Sequence, residues 1–253
     1  MVMRRFAATI KNNKNPLEIF GNDLKLYIDA TDTSSIDFTG NDIDQINDLS
    51  GNNNHLIYSG SEFTKPTGNV DSNQTHSVEL AGLNSLKISD ISDFRTQEGE
   101  FIFYILDIAT PGNVSVIRMA SFSNENSNNL FLLYKMDSVT NWLRILSRIS
   151  GVTNDLNSEN ILSGSNRQYS LSSNSINYRF VENTNLEKSI VSGTDNGNWI
   201  GDNNNLQSLF VGAYKFNNEL RENDKSFLLY QMFYINRTST LKERQLLNNF
   251  INN

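Results

Sequence analysis

Cleaving a glycosidic bond takes two carboxyl groups across it, about 5 Å apart for retention of configuration and about 6.5–9.5 Å apart for inversion. On a β-strand such acids are expected at alternate positions, because side chains alternate between faces. Glu98 and Glu100 have that spacing, but no third acid accompanies them and the run that follows, Phe101–Leu106, is apolar. Glu222 and Asp224 flank Asn223 in a stretch that reads as a turn. Neither place offers a hydrolytic pair. The expectation is a protein that is not an enzyme, with no catalytic residue to assign.

Oxygen donors recur at Asp48, Ser50, Asn52 and Asn54, a chemistry that suits calcium. The same residues suit a tight turn, in which a short Asp side chain accepts from backbone N–H groups just ahead of it. The turn reading is preferred, so no metal and no cofactor are expected. The chain has no Cys, which excludes disulfides and thiolate metal sites. Its two His, His55 and His76, are too few for a multi-histidine centre, and His55 reads as a packed ring at the start of a strand.

Aromatic side chains on polar loops can stack on sugars. Trp142 sits among Leu143, Ile145 and Leu146 and reads as core. Trp199 lies between Asn- and Gly-rich stretches and is the candidate glycan platform, with a loop anchor folded onto the domain as the alternative. Arg4, Arg5, Lys11 and Lys14, with the apolar Phe6 among them, make the N-terminus basic within a chain of net charge −7. They are candidate contacts to an acidic partner, or else a frayed end. No basic stripe appears elsewhere, so nucleic acid is not expected as a ligand. No apolar run is long enough to cross a bilayer, and the start lacks the apolar core of a signal peptide, so membrane insertion is not expected.

The elements that must position these residues read as strands. Short apolar or alternating runs are separated by Asn, Ser, Gly and Asp clusters, as at residues 50–54, 123–129 and 201–205. That is the grammar of a sandwich. The runs include Leu24–Ala30, Gln45–Asp48, His55–Tyr58, Ser77–Leu80, Ser85–Ile88, Glu100–Ile108 and Phe227–Ile235. Glu100–Ile108 is apolar on both faces, as a central strand covered on both sides would be. A helix over 240–251 is capped by Thr240 with Glu243 and carries Leu246, Leu247, Phe250 and Ile251 as an apolar stripe.

Four stretches, LKLYIDATDTSSI (24–36), INDLSGNNNHL (46–56), HSVELAGLNSLKI (76–88) and the closing SLFVGAYKF with residues 227–251, resemble laminin-G-like jelly rolls of the concanavalin A-like lectin/glucanase superfamily. The resemblance implies an all-β fold, a two-sheet antiparallel jelly-roll sandwich with a C-terminal helix. It covers residues 24–253; residues 1–23, basic and without a sustained strand or helix period, read as an N-terminal arm held by another chain. Removing residues 1–20 is then expected to leave a folded sandwich. Similar domains serve as carbohydrate-binding modules and recur in bacteriophage virion proteins. The implied function is a non-enzymatic virion structural or interaction protein (capsid surface, fibre or tail) that aids attachment to host glycans. Its partners would be other virion proteins in an oligomeric assembly, and its location the virion. The alternative is a stand-alone carbohydrate-binding lectin, extracellular or at the cell surface, with a glycoside hydrolase further behind. The sequence departs from the family pattern at Ile46-Asn47 (for Trp), Asn53 (for Gly) and Gln231 (for Glu).

Overall fold

The computed structural model describes residues 14–70, 74–107, 115–124, 129–137, 142–149, 151–161 and 167–252. In chain order the elements are α1 (Pro16–Phe20), β1 (Leu24–Asp29), β2 (Ile36–Thr39), β3 (Asp42–Ile46), β4 (Leu56–Tyr58), β5 (Thr67–Val70), β6 (His76–Gly82) and β7 (Ser85–Ile88). They continue with β8 (Gly99–Asp107), β9 (Ser115–Ser123), β10 (Leu130–Asp137), β11 (Trp142–Ile149), β12 (Val152–Ser158), β13 (Arg167–Ser173), β14 (Tyr178–Glu182), β15 (Leu186–Lys188) and β16 (Ile190–Ser192). The last are β17 (Ser208–Gly212), β18 (Tyr214–Phe216), β19 (Glu219–Arg221), β20 (Asn223–Ile235) and α2 (Leu241–Ile251).

Pairing between these named strands is antiparallel and sorts them into two layers. In one, β5, β6, β20, β8, β13, β14 and β15 are successive neighbours, and β1 replaces β6 beside the second half of β20. In the other the order is β2, β3, β4, β7, β17, β9, β10, β11, β12, β16. The layers meet at one edge through the Asp42–Thr67 pair of β3 and β5. At the other edge the chain steps from β15 to β16 across Ser189. The fold is an all-β jelly-roll sandwich with a C-terminal helix.

Burial explains the apolar patterning. Phe101, Phe103 and Ile105 of β8 point between the layers with Phe94, Phe122, Phe131 and Tyr234. Phe101 and Tyr234 rings lie 4.6 Å apart at their centroids. Ile102, on the other face of β8, packs with Phe20, Tyr27, Phe233 and Leu247 under the two helices. The strand is therefore covered on both sides at Phe101–Phe103, as its sequence implied, while Tyr104 and Leu106 on the outer face are half-buried. Outside the second layer, Tyr214 and Phe216 of the β18–β19 hairpin cover Leu130, Leu132 and Tyr134. Each such fully buried side chain contributes about 1.5–3 kcal/mol.

The arm expected at residues 1–23 is corrected from residue 16 onward. Asn15 caps α1, accepting from the Glu18 N–H at 2.9 Å while Glu18 accepts from the Asn15 N–H at 2.9 Å. Pro16 at the first turn needs no N–H partner. The helix seats Phe20, 3% exposed, on the domain's own sheet and against α2. An apolar side chain that can be buried within its own chain needs no second one. Arg4, Arg5, Phe6 and Lys11 lie outside the described residues; Lys14 is exposed.

At α2, Thr240 and Glu243 form the expected capping box. Arg237 joins Glu243 at 2.6 Å and Asp23 at 2.6 Å, fastening the helix start to the segment before β1.

Candidate functional site

The tertiary structure takes Trp199 out of consideration as a glycan platform. Its ring is 1% exposed, edge-on to Phe131 at 5.1 Å, and its Nε1–H donates to the Tyr234 hydroxyl at 3.3 Å. Burial pushes that phenol up to about 12. A Cβ on Gly99 would come within 2.7 Å of Trp199 Nε1 and 2.6 Å of the Tyr234 oxygen, so only glycine lets β8 pass. Asp202 accepts from the Trp199 N–H at 2.6 Å and folds the loop inward. The anchor reading holds because the indole fills the end of the sandwich. Trp142, expected in the core, is half-buried beside buried Leu143.

The acids considered for hydrolysis do not face one another across a cleft. Glu100 is fully buried, bonded by the Ser170 hydroxyl, by Arg179 at 3.3 Å and by the Ser239 N–H at 2.5 Å. It anchors the approach to α2, while Glu98 stays exposed. Asp224 accepts from the Val116 N–H at 3.1 Å. The Asp48 loop is built as a turn. Its Oδ1 accepts from the N–H groups of Tyr27 and Ser50, each at 2.9 Å. Its Oδ2 accepts from the Ser50 hydroxyl at 2.7 Å and the Asn54 N–H at 3.0 Å. His55 belongs to the same turn, its Nδ1 accepting from the Asp48 N–H at 3.0 Å.

A different place combines an accessible ring with polar side chains. An open cleft of about 370 Å³ is lined by Thr33, Phe38, Gly40, Asn41, Gly68, Asn69, Val70 and His76. Phe38 is 43% exposed and Val70 46% exposed. Gly40, at φ +66°, turns the chain from β2 into β3. In β3, Asp44 is an extra residue between the Asp37–Gln45 and Phe38–Ile43 partners, a bulge that bends the hairpin end and re-aims its side chains. Lys65 pairs with Asp44 at 2.6 Å and Thr39 donates to it at 2.5 Å. These two partners hold the Asp44 carboxyl below its ordinary range.

The opposite wall is the β5–β6 ladder. Val70 pairs with His76 and Gly68 with Val78, so alternation puts Gly68, Val70 and His76 on one face. The Phe38 ring lies against Gly68, where a Cβ would approach its edge to 3.2 Å. The missing side chain lets the ring rest on backbone while staying open to solvent. Asn69 alternates to the opposite face, where its amide donates to Glu79 at 3.0 Å. Among the described residues, no Asp or Glu lines the cleft. A flat apolar ring beside an amide and a hydroxyl can bind a molecule with one apolar face and a hydroxylated rim. The strand pattern above passes over β2 and β5, and with them this site. The one available signal was Phe38 standing alone among turn residues in Asp37–Asp42.

No family model matches the chain, and no curated protein does. Solved structures are similar. The binding domain of Paraclostridial Mosquitocidal Protein 1 is 15% identical with a TM-score of 0.60, over 91% of this chain and 53% of that one. The binding domain of botulinum neurotoxin DC, in complex with SialylT, is 11% identical with a TM-score of 0.58, over 90% and 51%. CBM40 of Ruminococcus gnavus IT-sialidase, bound to α2,3-sialyllactose, is 11% identical with a TM-score of 0.54, over 68% and 96%. The chain thus spans about half the length of the two toxin binding domains, and 26% of a NanB sialidase chain that is also similar. The likeness is one of fold: a β-sandwich.

Proposed function

We propose that this domain is a non-enzymatic glycan-binding module and that the cleft at Phe38 is its binding site. The observation that carries the reading is the exposed Phe38 ring, set against Gly68 and flanked by Asn41 and Thr33. Aromatic faces receive the C–H face of a pyranose, and amides match the hydroxyl donors and acceptors at its edge. Support comes also from sugar-bound or sialidase-associated domains among the similar structures. The test is a glycan array probed with the purified chain and with Phe38→Ala. Binding by the parent and about tenfold weaker binding by the variant are expected. Binding that Phe38→Ala leaves unchanged overturns the site. Release of reducing sugar from any bound glycan overturns the non-enzymatic part.

We further propose, from the family resemblance and the basic N-terminus, that the module is carried on a virion as a structural or attachment protein. Arg4, Arg5, Phe6, Lys11 and Lys14 would contact neighbouring subunits. Lacking residues 1–13, the protein is expected to fold and bind glycan but not to join particles. Normal incorporation would favour the stand-alone lectin.

A further inference from the structure

The charges around the Phe38 cleft bear on the kind of sugar it takes, an inference that rests on the glycan-binding reading above. The strands that carry the cleft are β2, β3, β5 and β6. Their charged residues are Asp37, Asp42, Asp44 and Glu79, and they contain no Lys or Arg. Asp37 and Asp42 are exposed. Lys65, which leads into β5, is bound to Asp44 at 2.6 Å and lies over the Tyr58 ring at 5.5 Å. A carboxylate-bearing sugar entering here would meet a negative field and find no guanidinium or ammonium among the described lining residues. Binding such a charge without a partner is strongly unfavourable.

What the cleft presents, among the described residues, is the Phe38 ring, the Val70 side chain, the His76 imidazole, the Thr33 hydroxyl and the Asn41 amide. An amide supplies both a donor and an acceptor, which suits neighbouring hydroxyls on one ring. Elsewhere, Arg179 borders a cleft of about 150 Å³, but its Nη2 donates to Glu100 and to the Ser239 carbonyl, at 3.3 and 3.2 Å. That leaves its charge compensated from within. We infer that the Phe38 cleft binds an uncharged pyranose and discriminates against sialylated and uronate-bearing glycans, in contrast to the α2,3-sialyllactose held by the R. gnavus domain of the same fold.

The experiment is an array of paired oligosaccharides, each printed with and without a terminal sialic acid or uronate. It is probed with the full chain, Phe38→Ala and Gly68→Val, each checked for native circular dichroism. The Gly68 variant leaves the ring's chemistry intact but drives it off the backbone. The expected result is binding to neutral members and about tenfold less to their acidic partners, with both variants weakening the neutral signal about tenfold. Stronger binding to the acidic members, lost in Phe38→Ala, would overturn the charge argument while leaving the site standing. Neutral binding that neither variant alters would overturn the site itself, and with it this inference. Binding to no member would overturn both.

Discussion

The oxygens of Asp48 accept from three backbone N–H groups and one hydroxyl, on Tyr27, Ser50 and Asn54. Asp48→Ala would leave donors on β1 and in the turn unpaired, at a site only 7% exposed. Unsatisfied buried donors cost about 1–3 kcal/mol each before relaxation, so a loss of about 2–3 kcal/mol in urea unfolding is expected; a loss under about 0.5 kcal/mol would show that the loop re-forms without it. Gln231 makes a related point. Its amide donates to Asp29 Oδ2 at 2.9 Å, the same oxygen that accepts from the Tyr27 hydroxyl at 2.9 Å. A glutamate there, as the family pattern has, would turn a donor into a second carboxylate. The introduced carboxyl would titrate higher in the folded than in the unfolded state, because burial and the facing Asp29 oppose its charge. Gln231→Glu is therefore expected to cost about 2 kcal/mol near neutral pH, and to recover as pH falls toward about 4 and the new group protonates. An equal deficit at both pH values would contradict this.

At the scale of elements, α1 and α2 act as one cover over the outer face of β8 and β20. Phe20 shares its cluster with Ile102, Phe233 and Leu247, so Phe20→Ala or removal of residues 1–20 is expected to cost about 3–5 kcal/mol. Removing residues 1–13, which keeps α1, should cost less. Equal melting temperatures for both truncations would refute the cover. The start of α2 adds an acid-sensitive joint. Burial pulls the Glu243 carboxyl up, but bonds from Arg237 and Thr240 outweigh it and hold it below its ordinary value. A depressed carboxylate stabilises above its unfolded value, and that stabilisation is lost as pH falls through the folded one. Glu243→Gln should lower stability by about 1 kcal/mol near neutral pH and flatten the acid side of the profile. A variant as acid-sensitive as the parent would argue against it.

Across the whole molecule, β20 binds the fold together. It pairs with β1, β6 and β8, strands far apart in the chain. The first layer loses its centre without it, and the second loses Phe227, Leu229, Met232 and Tyr234 from the core it packs on, so intrinsic fluorescence and far-ultraviolet circular dichroism should report one coincident denaturant transition. Two separated transitions would show that the layers unfold independently. Where pattern is local, the chain declares itself. The two-sided apolar run of β8, the Thr240–Glu243 cap and the Asp48 turn are legible because side-chain alternation, capping and Asx bonding act over a few residues. Gln231 was visible only as a departure, since its partner Asp29 lies on another strand. Even α1 was written locally, in Asn15, Pro16 and Glu18, but the basic residues before it drew attention to partners instead. Trp199 and Phe38 exchange the places their surroundings suggest. Both are aromatic residues among polar turn formers, and exposure is a property of what packs around a side chain, not of its neighbours in sequence. Trp199 is buried because β8, β10 and β20 converge on it. Phe38 is exposed because a bulge at Asp44 and a glycine on β5, some thirty residues further along the chain, leave its ring on open backbone.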